Sequence, residues 1–121
     1  MADKISQFTD LKVWQEGHKL VLNVYDATKD FPTEEKFSLT SQIRRAVVSV
    51  TSNIAEGFGR SSEKDKLHFY TMSRGSLLEL QNQALIAHDI SLLSDQSFTA
   101  LHEQSIIVHK LLNGLIRSIK R

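Results

Sequence analysis

Gln42-Ile43-Arg44-Arg45-Ala46-Val47-Val48-Ser49-Val50-Thr51-Ser52-Asn53-Ile54-Ala55-Glu56-Gly57-Phe58-Gly59-Arg60 is the stretch whose reading decides the fold. Wound at 3.6 residues per turn, it gathers Ile43, Val47, Val50, Ile54 and Phe58 on one face, and Leu39 extends that face upstream. Gln42, Arg45, Ser49, Asn53, Glu56 and Arg60 then form a polar stripe on the other side. The spacing predicts a helix from about Ser38 to Phe58, with Gly57 and Gly59 as its stop signal.

The same period continues on both sides. A first helix is predicted from about Asp10 to Asp30, capped by Thr9 or Asp10 and ended by Phe31-Pro32, because proline disfavours the helical conformation of the residue before it. Its inner face is read as Leu11, Trp14, His18, Val21, Leu22 and Tyr25. A third helix is predicted from a Ser61 or Ser62 cap to about Leu92, with Leu67, Tyr70, Leu77, Leu78, Leu85 and Leu92 inside. Gly75 interrupts it, and the expected use of that glycine is close approach of another backbone. A fourth is predicted from Ser94 or Asp95 to about Ile119, with Phe98, Leu101, Val108, Leu112, Leu115 and Ile119 inside. The connections are short, so neighbours in sequence are expected to pack antiparallel. The expected fold is a single all-α domain, an antiparallel four-helix bundle over residues 1–121, with a short disordered N-terminus at about 1–8.

Composition supports that class. One proline and five glycines in 121 residues favour long helices, and 40% hydrophobic with 24% charged residues is ordinary for a globular chain. No cysteine is present, which removes disulfides, thiolate nucleophiles and Cys-ligated zinc and fits a cytoplasmic protein. Met1 to Asp10 shows no signal-like apolar region, and no apolar run approaches the ~20 residues of a membrane span. Two helices carry more apolar surface than one stripe, with Val13, Gly17, Leu20 and Val24 on the first and Val48 and Ala55 off the second's stripe, and the third adds Phe69, Met72, Leu80 and Ile90. Apolar patches of that kind usually mark an interface, so a closed homo-oligomer is expected.

The chemistry-bearing residues do not assemble into a reaction site. Glu56 and Glu79 with Arg44 or Arg45 have two readings, an acid/base pair or a structural arginine–carboxylate network. The network is the expected one, built from Arg45, Ser49, Asn53, Glu56, Ser76 and Glu79, with Gln83 extending it. His18, His68, His88, His102 and His109 include no His-x-x-x-His pair, and Asp65-Lys66-Leu67-His68 is a lone acid-x-x-His match, so no metal or other cofactor is expected. His88-Asp89 resembles the metal-binding pair of phosphohydrolases without its companions. Gly57-Phe58-Gly59-Arg60-Ser61-Ser62 lacks the Gly-Lys-Ser/Thr ending of a phosphate loop and reads as a helix stop followed by a helix cap. A helical ribonuclease would need an arginine with a histidine four to six residues later, and Arg60 to His68 has the wrong spacing. No enzymatic activity is expected.

The run Gln42-x-Arg44-Arg45-Ala46-x-x-Ser49 followed by Asn53-Ile54-Ala55-Glu56-Gly57 resembles the bacterial 23S rRNA-intervening-sequence proteins. Phe8-x-x-Leu11-x-Val13-Trp14, Tyr25 with Phe31-Pro32, Glu35-x-Phe37-x-Leu39 and Gly75-Ser76 with Glu79 agree with it, from about Phe8 to Leu92. The resemblance implies an up-down-up-down bundle and a ring-like homopentamer. Some members of that family are encoded by insertions within large-subunit ribosomal RNA genes. A relative in fold, the accessory variability determinant of diversity-generating retroelements, is thought to bind nucleic acid and a reverse transcriptase through a basic surface.

The net charge here is only +1, low for a nucleic-acid binder, although no acidic residue follows Glu103. The leading expectation is a non-enzymatic assembly protein that binds RNA, DNA or a nucleic-acid-processing protein. Its candidate contacts are Arg44, Arg45, Arg60, Lys64, Lys66, Arg117, Lys120 and Arg121. The rival expectation is a structural or protein-partner module, with those residues serving as a solvated charged face and internal ion pairs.

Overall fold

The computed structural model describes residues 4–35 and 37–120. Four helices account for most of them: α1 (Lys12–Thr28), α2 (Leu39–Phe58), α3 (Glu63–Asp89) and α4 (Asp95–Lys120). Short 3-10 turns at Phe8–Asp10 and Thr33–Glu35 precede α1 and α2, and no strand occurs among the described residues. Each helix packs on two others, α1 on α2, α2 on α3, α3 on α4 and α4 back on α1, around one shared core.

The second helix carries the inner face expected of it. Ile43, Val47, Val50 and Ile54 are fully buried, Leu39 packs against the core and Phe58 is half-buried. Ser62 caps α3 by accepting from the Asp65 amide at 3.1 Å, and Ser94 does the same for the Ser97 amide before α4. In α4, Leu101, Val108 and Leu112 are buried, with Phe98, Leu115 and Ile119 packed at the margin.

Two inner faces differ from expectation. On α1 the buried line is Val13, Gly17, Leu20 and Val24, continued by Thr28, while Leu22 and Tyr25 are exposed and His18 lies on the surface. The smaller stripe wins because it admits a closer neighbour: a Cβ on Gly17 would lie 3.1 Å from the Thr51 methyl of α2. Trp14 is left at the rim, half-buried, between an edge-on Phe8 and a stacked His18. On α3, Tyr70 and Leu77 point inward as expected, but Leu78 and Leu85 are 51% and 47% exposed, and Leu80, Ala84 and Ala87 take their place. Ser73 and Gln83 are buried on that face too. Ser73 is tolerated there because its hydroxyl donates to the Val50 carbonyl at 2.7 Å.

Smaller corrections have local causes. Neither Thr9 nor Asp10 caps α1; the Asp10 carboxylate turns back to accept from the Ser6 and Gln7 amides, both at 3.0 Å. Helix α3 stops at Asp89 rather than Leu92: Ser91 takes φ 69°, and the amides of Leu92 and Leu93 return to the Ala87 carbonyl. A Cβ on Gly75 would meet nothing within 4 Å among the described residues, so within this chain it admits no neighbouring backbone. The tight approach is at Gly57, under the Tyr70 ring.

Candidate nucleic-acid interface and polar network

Half of the expected network forms. Ser49 of α2 and Ser76 of α3 share a hydrogen bond at 2.9 Å, and the Asn53 amide donates to both the carbonyl and the hydroxyl of Ser49. Ser49 and Asn53 lie one turn apart on α2, beside Ser76 of α3. The carboxylates behave differently. Glu56 pairs with Arg60 one turn later on the same helix side at 2.8 Å, and Glu79 accepts from Gln83 at 3.3 Å. Within the chain neither glutamate pairs with Arg44 or Arg45 among the described residues.

Arg44 turns toward α1 instead. Its Nε donates to Thr28 Oγ1 at 2.9 Å, a terminal nitrogen lies 3.4 Å from the Tyr25 carbonyl, and the guanidinium sits 4.6 Å above the Tyr25 ring. Thr28 can serve because it is buried and its hydroxyl also donates to the Val24 carbonyl.

The candidate phosphate contacts divide into occupied and open groups. Lys66 closes the corner between α2 and α3, donating to the Phe58 carbonyl at 2.7 Å and the Gly57 carbonyl at 3.3 Å. A cation at a helix C-terminus also matches the helix dipole, so this lysine has a structural task. Arg60 holds Glu56 and lies 4.5 Å over the Phe69 ring. Arg45, Lys64, Arg117 and Lys120 are exposed and make no hydrogen bond or ion pair among the described residues. Arg117 and Lys120 border one shallow surface depression with Gly114 and Ser118. Arg121 lies outside the described residues.

Several polar ties between helices carried no sequence signal. Glu16 is buried in α1, where Lys19 at 2.9 Å and the Gln104 amide of α4 engage its carboxylate and Lys12 lies 3.6 Å away. The Lys19 hydrogen bond, then that of Gln104, hold its carboxyl below the usual glutamate range. Arg74 donates to Asn113, and Gln81 to Ser105, joining α3 to α4. Their signal is only a polar residue on an inward face, which sequence reading assigns to the surface. His88 bonds Asp95 across the α3–α4 turn at 2.6 Å and stacks on Phe98, which also stacks on His102. No group of three or more metal-ligating side chains occurs among the described residues, and none of the described helices is long and apolar enough to cross a membrane.

No curated protein matches the chain. Among solved structures, a protein of unknown function from the S23 ribosomal protein family of Bacteroides thetaiotaomicron is similar in fold, with a TM-score of 0.80 and 19% identity over 87% of this chain and 95% of that one. Residues 9–114 match the model of the 23S rRNA-intervening sequence protein family, which includes the whole stretch from Gln42 to Arg60, and the chain belongs to that family.

Proposed function

We propose that this protein is a non-enzymatic assembly module: an up-down-up-down bundle with antiparallel neighbours that associates with copies of itself into a closed ring in the cytoplasm. The pairings of Gly57 with Tyr70, Ser49 with Ser76, Arg74 with Asn113 and His88 with Asp95 support the antiparallel order, since residue numbers rise on one helix as they fall on the next. The observation that carries self-association is the apolar surface left outside the core. Leu22, Met72, Leu78, Leu85, Ile90 and Ile107 are all more than two-fifths exposed. A single bundle leaves about half of each of these side chains in water, whereas a second copy buries them. A ring of five is the copy number that the family resemblance suggests. Light scattering of the purified chain at low and high salt should give a multimeric mass, five protomers for the proposed ring. A monomer at both salts would overturn the proposal.

A second reading is favoured by the C-terminal helix. Its last turn carries the exposed Arg117 and Lys120, and no acid follows Glu103. In the antiparallel order these lie at the same bundle end as Arg60 and Lys64. We infer that this end binds the phosphate backbone of RNA or DNA without sequence preference, and a ring would repeat it on one rim. Affinity for single-stranded RNA should fall steeply with salt, by about ten-fold or more between 50 and 200 mM if several phosphates are engaged. It should also weaken in the Arg117→Gln/Lys120→Gln double variant. Gel shifts showing no binding, or binding indifferent to salt, would leave only the structural module.

A further inference from the structure

An open groove of about 750 Å³ runs between α1 and the first half of α2. Tyr25, Ser41, Arg44, Arg45, Val48 and Ser52 line it, and no carboxylate does. In a chain with 14 acidic and 15 basic residues, two adjacent arginines facing a groove without an acid are a local excess of positive charge. Arg44 is oriented without being neutralised: its partners are the Thr28 hydroxyl, the Tyr25 carbonyl and the Tyr25 ring. Arg45 makes no hydrogen bond or ion pair among the described residues.

The start of α2 adds to this. Its N-cap residue, Ser38, makes no side-chain cap, because its hydroxyl donates to the Glu35 carboxylate at 2.8 Å. Among the described residues the first-turn amides, which have no acceptor within a helix, are left without a side-chain partner at the positive end of the helix dipole, although the Glu35 carboxylate is held nearby on Ser38. Thr40, in that first turn and on the groove wall, has a hydroxyl shielded from solvent and without a hydrogen-bond partner. Guanidinium forks, hydroxyls and uncapped amides all suit phosphate oxygens, and the exposed Tyr25 and Val48 offer apolar surface beside them.

We propose that this groove binds a nucleotide, with its phosphate on Arg45, the outward edge of Arg44 and Ser41, and its base against Tyr25 and Val48. The same chemistry comes from two sources, a free mononucleotide or one unit of a single strand. Only the second rests on the nucleic-acid reading above.

The test is calorimetric titration of the full chain with adenosine monophosphate and, separately, with a short single-stranded RNA. Arg45→Gln is the main variant, since this side chain holds nothing else in place and its removal should leave the helical content and melting unchanged. Both ligands are expected to lose ~tenfold or more in affinity, the loss of a charge-assisted contact. Ser52→Glu, which places a carboxylate in the groove, should weaken both as well. Loss of mononucleotide binding in Arg45→Gln, with no binding of the RNA by any form, would keep the groove and sink the nucleic-acid reading. RNA binding that survives Arg45→Gln but falls in Arg117→Gln/Lys120→Gln would do the reverse. Affinities for both ligands unchanged in Arg45→Gln, or no binding of either, would overturn the groove proposal.

Discussion

Leu80→Ala is expected to destabilise the fold by about 2–5 kcal/mol, and Leu78→Ala by less than ~1 kcal/mol, although the two leucines are separated by one residue on α3. Leu80 is fully buried and Leu78 is 51% exposed. Truncating Leu80 removes its transfer free energy and leaves a cavity that the surrounding Leu77 and Ala84 do not fill. Truncating Leu78 removes surface already in contact with water. Urea denaturation at one fixed protomer concentration checks both, because self-association makes apparent stability depend on concentration. The roles should exchange in an assembly measurement, where Leu78→Ala lowers the mass or its persistence on dilution. Equal destabilisation by the two variants at a dilution where both are monomeric would mean that Leu78 is buried within the protomer, and the apolar surface invoked for self-association would shrink accordingly.

That pair also shows where sequence reading succeeds and where it stops. On α2 the large β-branched residues fall on one stripe and polar residues on the other, so period alone selects the inner face. On α3 the inner line includes Ser73 and Gln83 while Leu78, Leu85 and Ile86 face outward. A helix whose solvent side is nearly as apolar as its core side gives periodicity nothing to choose between. The choice is made by partners distant in sequence, such as the Val50 carbonyl that satisfies Ser73. Helix α1 fails for a related reason. Hydrophobicity favours the Trp14 face, whereas packing favours Val13, Gly17, Leu20 and Val24, because small residues let α2 approach.

Helix ends follow the same division. Ser94 marked the start of α4, and the cap of α3 was legible as Ser61 or Ser62 because a serine before a helical pattern has one strong local use. The stop at Ser91 was not, since a non-glycine residue at φ 69° leaves no mark in sequence. Among the candidate site residues, the Ser49–Ser76–Asn53 contacts came from spacing on adjoining helices. The fates of Arg44 and Lys66 did not. Each long side chain found an acceptor on the neighbouring helix or at the corner between helices, Thr28 for one and the Phe58 carbonyl for the other, and a linear pattern holds no record of that reach.

Gly57→Ala is expected to cost about 2 kcal/mol, with a fall in Tm on the order of 8 °C, while Gly75→Ala should raise stability by about 0.5–1 kcal/mol. Gly75 is in the interior of α3, where alanine improves backbone propensity by up to ~1 kcal/mol, and Gly57 is in the last turn of α2, where the gain is smaller. Their surroundings decide the sign. A Cβ on Gly75 would meet nothing beyond its own helix backbone within 4 Å among the described residues, so the propensity gain stands alone. A Cβ on Gly57 would lie 2.6 and 2.9 Å from two carbons of the Tyr70 ring and 3.1 Å from the Phe69 Cβ. Tyr70 is only 2% exposed, and its ring is not the far end of a flexible chain, so α2 and α3 must separate locally. Overpacking of this kind costs about 1–3 kcal/mol, occasionally more, and here it also strains the Lys66 bonds to the Gly57 and Phe58 carbonyls. If the Tyr70 ring is the obstacle, Tyr70→Leu should relieve it, and Gly57→Ala/Tyr70→Leu should cost less than the sum of its single variants by at least ~1 kcal/mol. Additive costs would place the strain at the Phe69 Cβ rather than in the ring, and a neutral Gly57→Ala would mean that the corner between α2 and α3 yields without loss.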